Sequence, residues 1–389
     1  MIIFQRIIED QIRENLFKKG MVIILGPRQS GKTTLAKKII ESFGVKGEYF
    51  NCEFADVRKY FVLGKPDKLL ELIKNKKIVV FDEAQTIQNI GKILKIFYDT
   101  YPKIQIIATG SSSFDLANKI KEPLTGRAFE FILPPLSLDE IKSALNVSKG
   151  KLNEIMLYGS YPAVVGAKTI KEKKLELKKI ATNYLYKDIY TFEAIKNPKI
   201  LEDLLINLAY ATGSTVSVYK LGKDLGAAPS TIERYIRLLE QSFVIKRIYS
   251  YSRNFANELK KSYKIYFIDT GVRNALIEPV DINDAQTKGA LFENFFIMER
   301  MKQGFLQTFP PKLTFWRTKQ GLEIDLVEVE NKKLTAYECK WQKQEVSFTT
   351  FLKKYPEAKT SVVSPNDLIS LNLTMITHFS KKNMIAKVL

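Results

Sequence analysis

The chain has 389 residues, 45 % hydrophobic and 26 % charged, the mix of a soluble globular protein of roughly two or three domains. The two cysteines, Cys52 and Cys339, exclude a disulfide framework, and the single histidine, His378, excludes a His-rich zinc site and leaves one unpromising candidate for a Ser-His-Asp triad. The net charge of +19 and a pI near 9.5 favour polyanionic partners, with a Lys- and Glu-rich thermophile-type surface as the alternative.

There is no apolar run of about 18 residues, so no membrane-spanning helix is expected. The start soon turns charged at Arg6, Glu9, Asp10 and Arg13 and lacks a secretory signal. A reducing cytoplasm is the expected location, with no membrane partner.

In chain order, Met21–Leu25, Ile78–Phe81 and Ile104–Ala108 are short apolar runs separated by helical stretches. They predict strands of a parallel sheet buried on both faces. Pro134-Pro135 punctuates the end of this block. Residues 137–210 are mostly helical by pattern, and the Lys-rich stretch Lys171–Lys179 reads as a solvated face.

Gly26-Pro-Arg-Gln-Ser-Gly-Lys-Thr33 fits G-x-x-x-x-G-K-[ST], between an apolar strand and a helix. Glycines let backbone amides curl around phosphate oxygens at a helix start, where anions are favoured. Gly26, Pro27, Arg28, Gln29, Ser30, Gly31, Lys32, Thr33 and Thr34 are the candidate nucleotide-binding residues. Lys32 is assigned to the β- and γ-phosphates and Thr33 to Mg2+.

Ile78-Val-Val-Phe-Asp82-Glu83 ends an apolar strand in two carboxylates, at the edge where α/β sheets place ligands. Asp82 is the candidate for the Mg2+ shell and Glu83 for general base toward water, which points to hydrolysis. Thr109 or Ser111, in Thr109-Gly-Ser-Ser-Ser113, either orients water or caps a helix. Arg127 either neutralises transition-state charge, in its own subunit or a neighbour's, or is a surface ion-pair residue.

The phosphate loop, Phe81-Asp82-Glu83-Ala84-Gln85, Thr109-Gly-Ser-Ser-Ser113 and Leu124-Thr-Gly-Arg127 through Pro135-Leu-Ser137 resemble one group of AAA-superfamily ATPases. These are archaeal and bacterial ATPases fused to a C-terminal domain of unknown function. Tyr158-Gly-Ser-Tyr-Pro162 and Phe267-Ile-Asp-Thr-Gly271 look like later motifs of that family, so the resemblance covers nearly the whole chain. It implies ATP binding and a multidomain layout.

Further on, Thr215–Leu225, a turn at Gly226-Ala-Ala and a second helix Pro229–Glu240 form a helix-turn-helix pattern. Ile232, Ile236 and Leu239 share one face; Ser230, Thr231, Arg234 and Arg237 lie on others. Phe243–Tyr249 and Tyr263–Ile268 are strand candidates for a wing, with Arg253, Lys260, Lys261 and Lys264 as its basic residues. The pattern resembles a winged helix, a fold that binds DNA in some proteins and protein in others.

In the last part, Glu293 sits on an apolar helix face beside Ala290, Phe296 and Ile297, which is costly without a partner. Gly321–Glu328 and Lys333–Trp341 are strand candidates. Glu338 and Lys340 share a strand face, with Cys339 opposite. This is similar to the PD-(D/E)XK nuclease core, although Ile324 stands where that motif has proline. Glu293, Asp325 and Glu338 are candidate Mg2+ ligands, with Lys340 as a catalytic cation.

The expected fold class is α/β: a P-loop ATPase parallel sheet, then a helical and winged-helix segment, then an α/β nuclease-like domain. The expected boundaries are 1–145, 146–210, 211–270 and 271–389. The expected function is Mg2+-dependent ATP hydrolysis coupled to a DNA-binding or nuclease-like module. The alternative is an ATP-dependent switch that recruits a protein partner, with a catalytically inactive nuclease-like platform. The expected partners are ATP and DNA, with a protein partner or a homo-oligomer as alternatives.

Overall fold

A computed structural model describes residues 2–111, 124, 126–184, 197–252, 262–277 and 284–370. Ser112, Ser113, Arg253, Lys260, Lys261 and His378 lie outside the described residues. The chain forms two compact units, one of Ile2–Leu136 with Leu238–Val244, the other of Ser137–Arg237 with Ile245–Leu389.

The first unit is built on a five-stranded sheet of β1 (Met21–Leu25), β2 (Gly47–Asn51), β3 (Ile78–Asp82), β4 (Gln105–Gly110) and β5 (Ala128–Ile132). The order is β2-β3-β4-β1-β5, and every pairing is parallel. The three apolar runs become the three inner strands, and each is buried along its whole length. Continuous Val and Ile suit a strand covered on both faces, because neither face needs a polar residue. β2 and β5 are not among the strands expected from the sequence. Both are edge strands with intermediate exposure and mixed side chains, so neither shows an apolar run.

The second unit carries a six-stranded mixed sheet, ordered β11-β10-β9-β8-β6-β7. Its strands are β6 (Ile245–Ser250), β7 (Tyr263–Phe267), β8 (Lys312–Arg317), β9 (Glu323–Glu330), β10 (Lys333–Cys339) and β11 (Lys359–Val363). The helix Ala285–Gly304 contributes buried Phe292, Phe295, Phe296 and Ile297. The helices Val218–Asp224 and Pro229–Gln241 flank a turn at Gly226, whose φ of 61° suits glycine.

β6 and β7 pair antiparallel, but they do not form a freestanding wing. β6 also pairs in parallel with β8, so the two strands make one edge of the large sheet. The physical reason is burial: β7 is covered over its full length, which an exposed wing would not be.

Two motifs far apart in sequence meet in this unit. Ser160 donates its backbone N–H to Asp269 Oδ2 at 2.7 Å, and Val272 N–H reaches Asp269 Oδ1 at 3.1 Å, capping the helix Thr270–Leu276. Lys302 bridges Ser160 Oγ (3.0 Å) and Glu299 (2.7 Å), and Glu299 accepts from Leu138 N–H at 2.7 Å. These charges are almost fully buried, so each depends on its partners. The backbones touch: a Cβ on Gly271 would lie 2.1 Å from the Tyr158 carbonyl oxygen, and one on Gly159 2.0 Å from Asp269 Oδ1.

Gly271→Ala should therefore cost about 3 kcal/mol of stability, because backbone rather than a movable side chain stands in the way. Urea unfolding followed by circular dichroism checks this; a loss below about 1 kcal/mol would show that the junction yields.

Candidate functional site

The loop after β1 is shaped by backbone requirements. Gly26 and Gly31 have φ of 158° and 99°, and Gly31 caps the helix Lys32–Glu41 in a left-handed conformation. A Cβ on Gly26 would stand 2.1 Å from the Leu133 carbonyl oxygen, so only glycine fits. Gln29, a non-glycine, also has a positive φ of 60°.

Within the loop, Lys32 is 4 % exposed, and its Nζ donates to the carbonyls of Gly26 (2.9 Å) and Pro27 (2.8 Å). The ammonium is thus curled over the loop that a phosphate would enter. Ser30 Oγ is buried with no hydrogen-bond partner. An orphaned hydroxyl, a glycine-walled cradle and a lysine directed into it together fit a triphosphate chain.

Arg6, which the sequence analysis did not single out, supports the loop from outside. Its guanidinium donates to the Ser30 carbonyl at 2.6 Å and the Pro134 carbonyl at 2.8 Å. These partners lie 24 and 128 residues away, so no local pattern announces them.

Asp82 ends β3 beside the loop and is 3 % exposed. Its Oδ2 accepts from Thr33 Oγ1 (2.7 Å) and from Tyr49 OH (2.6 Å), and its Oδ1 accepts from Thr109. Tyr49, on β2, is a further residue the sequence analysis missed. Burial, and then the Asp82 carboxylate, raise its phenol pKa, so it stays a donor at neutral pH. Thr33 and Asp82 stand where a hydroxyl and a carboxylate can share one Mg2+.

Glu83 comes next in a left-handed conformation, φ 53°. Its backbone N–H bonds Thr109 Oγ1 at 3.1 Å, and its carboxylate accepts from Gln85, which also donates to Ser111 Oγ at 3.0 Å. Thr109 therefore connects the two acidic residues directly. A strained non-glycine residue held by several bonds is typical of a functional position.

Arg127 is elsewhere. It immediately precedes β5, and Ala128 pairs with Met21 at the start of β1, so Arg127 lies at the sheet edge opposite the phosphate loop. There it forms a partly exposed ion pair with Asp99, Nε to Oδ1 2.8 Å. Parallel pairing sets this: segments entering the strands gather at one edge, and segments leaving them gather at the other. Arg127 does not face the loop of its own chain.

The other candidate residues gather in the second unit. Continuing the β9–β10 register one step beyond Leu326–Tyr337 puts Asp325 opposite Glu338 on one face. Asp325 Oδ2 accepts from Cys339 N–H at 2.8 Å, and Lys340 pairs with Glu338 at 3.2 Å. Glu293 accepts from Tyr266 OH at 2.6 Å and pairs with Lys264 at 3.2 Å. Burial, then the neighbouring Asp325 charge, push the Glu293 and Glu338 carboxyls up to about 7. A cavity of about 890 Å3 reaches Glu293, Asp325, Lys340 and Trp341.

Lys264 departs from its expected place on an exposed basic wing. It is 2 % exposed and ion-paired with both Glu293 and Glu323. Burial pulls its pKa down, but the two carboxylates outweigh this and hold it above the ordinary lysine value. Among the described residues no group of three His, Cys, Asp or Glu side chains stands close enough to hold a metal ion. Glu293, Asp325 and Glu338 are brought into one neighbourhood.

Tyr49→Phe should lower the stability of the chain by about 1–3 kcal/mol, because it removes a hydrogen bond to a buried carboxylate. Chemical denaturation measures it; an unchanged midpoint would mean that water serves Asp82 equally well.

Residues 18–142 match the family model described as an AAA domain. Residues 149–284 and 288–379 match two families described as domains of unknown function, DUF8612 and DUF4143. Uncharacterized protein MJ1544 of Methanocaldococcus jannaschii is 27 % identical over 400 residues, covering 96 % of this chain and 85 % of its own. Uncharacterized protein Rv2008c of Mycobacterium tuberculosis is 25 % identical, covering 84 % and 71 %. An uncharacterized protein of Haemophilus influenzae is 28 % identical, covering 73 % and 74 %.

Among solved structures, the STAND protein PH0952 of Pyrococcus horikoshii, with a tetratricopeptide repeat sensor, is 14 % identical with a TM-score of 0.31. That match covers 77 % of this chain and about half, 47 %, of the other. A katanin self-assembly structure is 14 % identical with a TM-score of 0.32, covering 61 % and 82 %. No described helix is long and apolar enough to cross a membrane. The chain is thus similar to an AAA domain over residues 18–142, with two regions similar to domains of unknown function after it, and the first similarity supports nucleotide binding at the phosphate loop.

Proposed function

We propose that the chain binds ATP with Mg2+ at the phosphate loop and hydrolyses it, and that turnover drives a nucleic-acid-binding, nuclease-like module in the second unit. The observation that carries the first part is the convergence of the Gly26–Thr33 loop, Asp82, Glu83 and Thr109 at one edge of adjacent strands. ATP supplies the transferable phosphoryl group and Mg2+ offsets its charge.

Backbone N–H groups from Arg28 to Thr34 cradle the phosphates. Lys32 would exchange its loop carbonyls for phosphate oxygens, and Thr33 and Asp82 would hold the Mg2+. Glu83 takes the proton of the attacking water, and Thr109 fixes Glu83 through its backbone. Arg127, half-buried at the far edge and paired with Asp99, is available only to a neighbouring copy.

For the second part, the support is the net charge of +19 and the exposure of Ser230, Arg234 and Arg237 on the helix Pro229–Gln241. A second reading has its own observation. The acidic residues of the nuclease-like region are already paired with Lys264 and Lys340, which favours a platform that binds without cleaving, serving an ATP-dependent switch.

Lys32→Ala and Glu83→Gln should each lower ATP hydrolysis by about 100-fold or more, with Glu83→Gln still binding nucleotide. Wild-type rates from both variants would sink the assignment. Duplex or single-stranded DNA should raise wild-type turnover, and added salt should weaken that effect steeply. Turnover indifferent to DNA would move the second unit to a protein partner.

A further inference from the structure

We infer that the Lys264 ammonium is the resident cation of the carboxylate centre formed by Glu293, Glu323, Asp325 and Glu338, and that this centre takes no divalent metal while Lys264 is in place. The inference rests on reading these residues as a nuclease-like centre, and it decides between a cleaving and a binding form of it.

Lysine is an unusual residue for a strand as buried as Tyr-Lys-Ile-Tyr-Phe, and its 2 % exposure demands a matched negative partner. It has two, Glu293 Oε1 at 3.2 Å and Glu323. Those partners come from a different helix and a different strand, so the ammonium stands at the point where β7, β9 and the helix Ala285–Gly304 converge. Its charge also acts on the neighbouring Asp325 carboxylate.

A hard divalent cation needs several oxygens at about 2.0–2.6 Å from one point. The oxygens here already serve other donors. Glu293 Oε1 accepts from both Lys264 and Tyr266 OH. One oxygen of Asp325 accepts from Cys339 N–H, and Glu338 is paired with Lys340.

Access is not the obstacle, because the cavity of about 890 Å3 opens onto Glu293, Asp325 and Lys340. The obstacle is charge. A divalent ion between these carboxylates would meet the repulsion of a fixed ammonium that already stands 3.2 Å from Glu293 Oε1. A buried lysine cannot swing clear as an exposed one can. The centre is thus compensated from within, and a ligand in the cavity meets ammonium groups and hydrogen bonds rather than a metal-activated water.

The test is a count of bound Mn2+ by electron paramagnetic resonance on the nucleotide-free full chain. All proteins carry Asp82→Asn, so that the phosphate-loop site does not contribute. The expected result is that adding Asp325→Asn leaves the Mn2+ count unchanged. Lys264→Gln should gain one equivalent, which a further Asp325→Asn removes.

If Asp325→Asn lowers the count by one with Lys264 present, the inference is overturned. It is also overturned if folded Lys264→Gln gains no ion. Should Lys264→Gln fail to fold, the Asp325→Asn comparison decides alone. ATP hydrolysis is read at the other unit, so its absence would strike the phosphate-loop assignment and leave this count standing.

Discussion

A carboxylate taken out of water must be met by donors fixed in place, and the first unit is organised around one such group. Asp82 is 3 % exposed and accepts hydroxyls from Thr33, Tyr49 and Thr109. Those three side chains come from the helix after the phosphate loop, from β2 and from β4. One charge therefore ties together the ends of separate elements at the edge where the loop lies. The geometry is possible only because the strands are parallel: every chain segment leaving a strand emerges at the same edge. Loop shape depends on the same edge, since Gly26 has to pass against the Leu133 carbonyl with no room for a side chain.

The second unit answers the same requirement differently. Its buried and half-buried acidic residues are met by lysine and arginine side chains: Lys264 for Glu293 and Glu323, Lys302 for Glu299, Arg300 for Glu328. Arg300 and Glu328 make two hydrogen bonds, at 2.6 and 2.8 Å, the bidentate geometry that suits a buried pair. Such pairs add little net stability over apolar packing, but losing one partner is expensive, so they hold elements in register. The junction of Tyr158–Pro162 with Phe267–Gly271 is of this kind, with two glycines allowing the backbones to touch.

The availability of the charged groups divides along the same line. The first unit leaves its reactive groups adaptable: Lys32 is bonded to loop carbonyls that a phosphate can replace, and Ser30 keeps an unused hydroxyl. The carboxylates of the second unit already have partners. A site whose bonds can be exchanged for those of a ligand suits turnover, and one compensated from within suits recognition.

Much of the first unit was legible in the sequence because its signals are local. Met21–Leu25, the eight residues Gly26–Thr33 and the step from Phe81 to Asp82-Glu83 each declare strand, loop or strand end within a short window. Burial on both faces makes a strand continuously apolar, and a phosphate cradle demands glycine at set spacings. Edge strands β2 and β5 carry no such constraint and passed unseen. The helix-turn-helix pattern and the pairing of β6 with β7 were likewise readable, but membership of β6 in a six-stranded sheet was not, because it depends on Tyr249 meeting Thr314. Arg6, Tyr49 and Lys264 acquire their importance only from partners tens to more than a hundred residues away. The sequence by itself marked the inner strands of the first sheet, a loop with the glycine spacing of a phosphate cradle and the acids that are costly to bury. Tertiary structure alone decided which edge Arg127 faces and which cation meets Glu293, because strand order and long-range charge pairing leave no periodic trace in the chain.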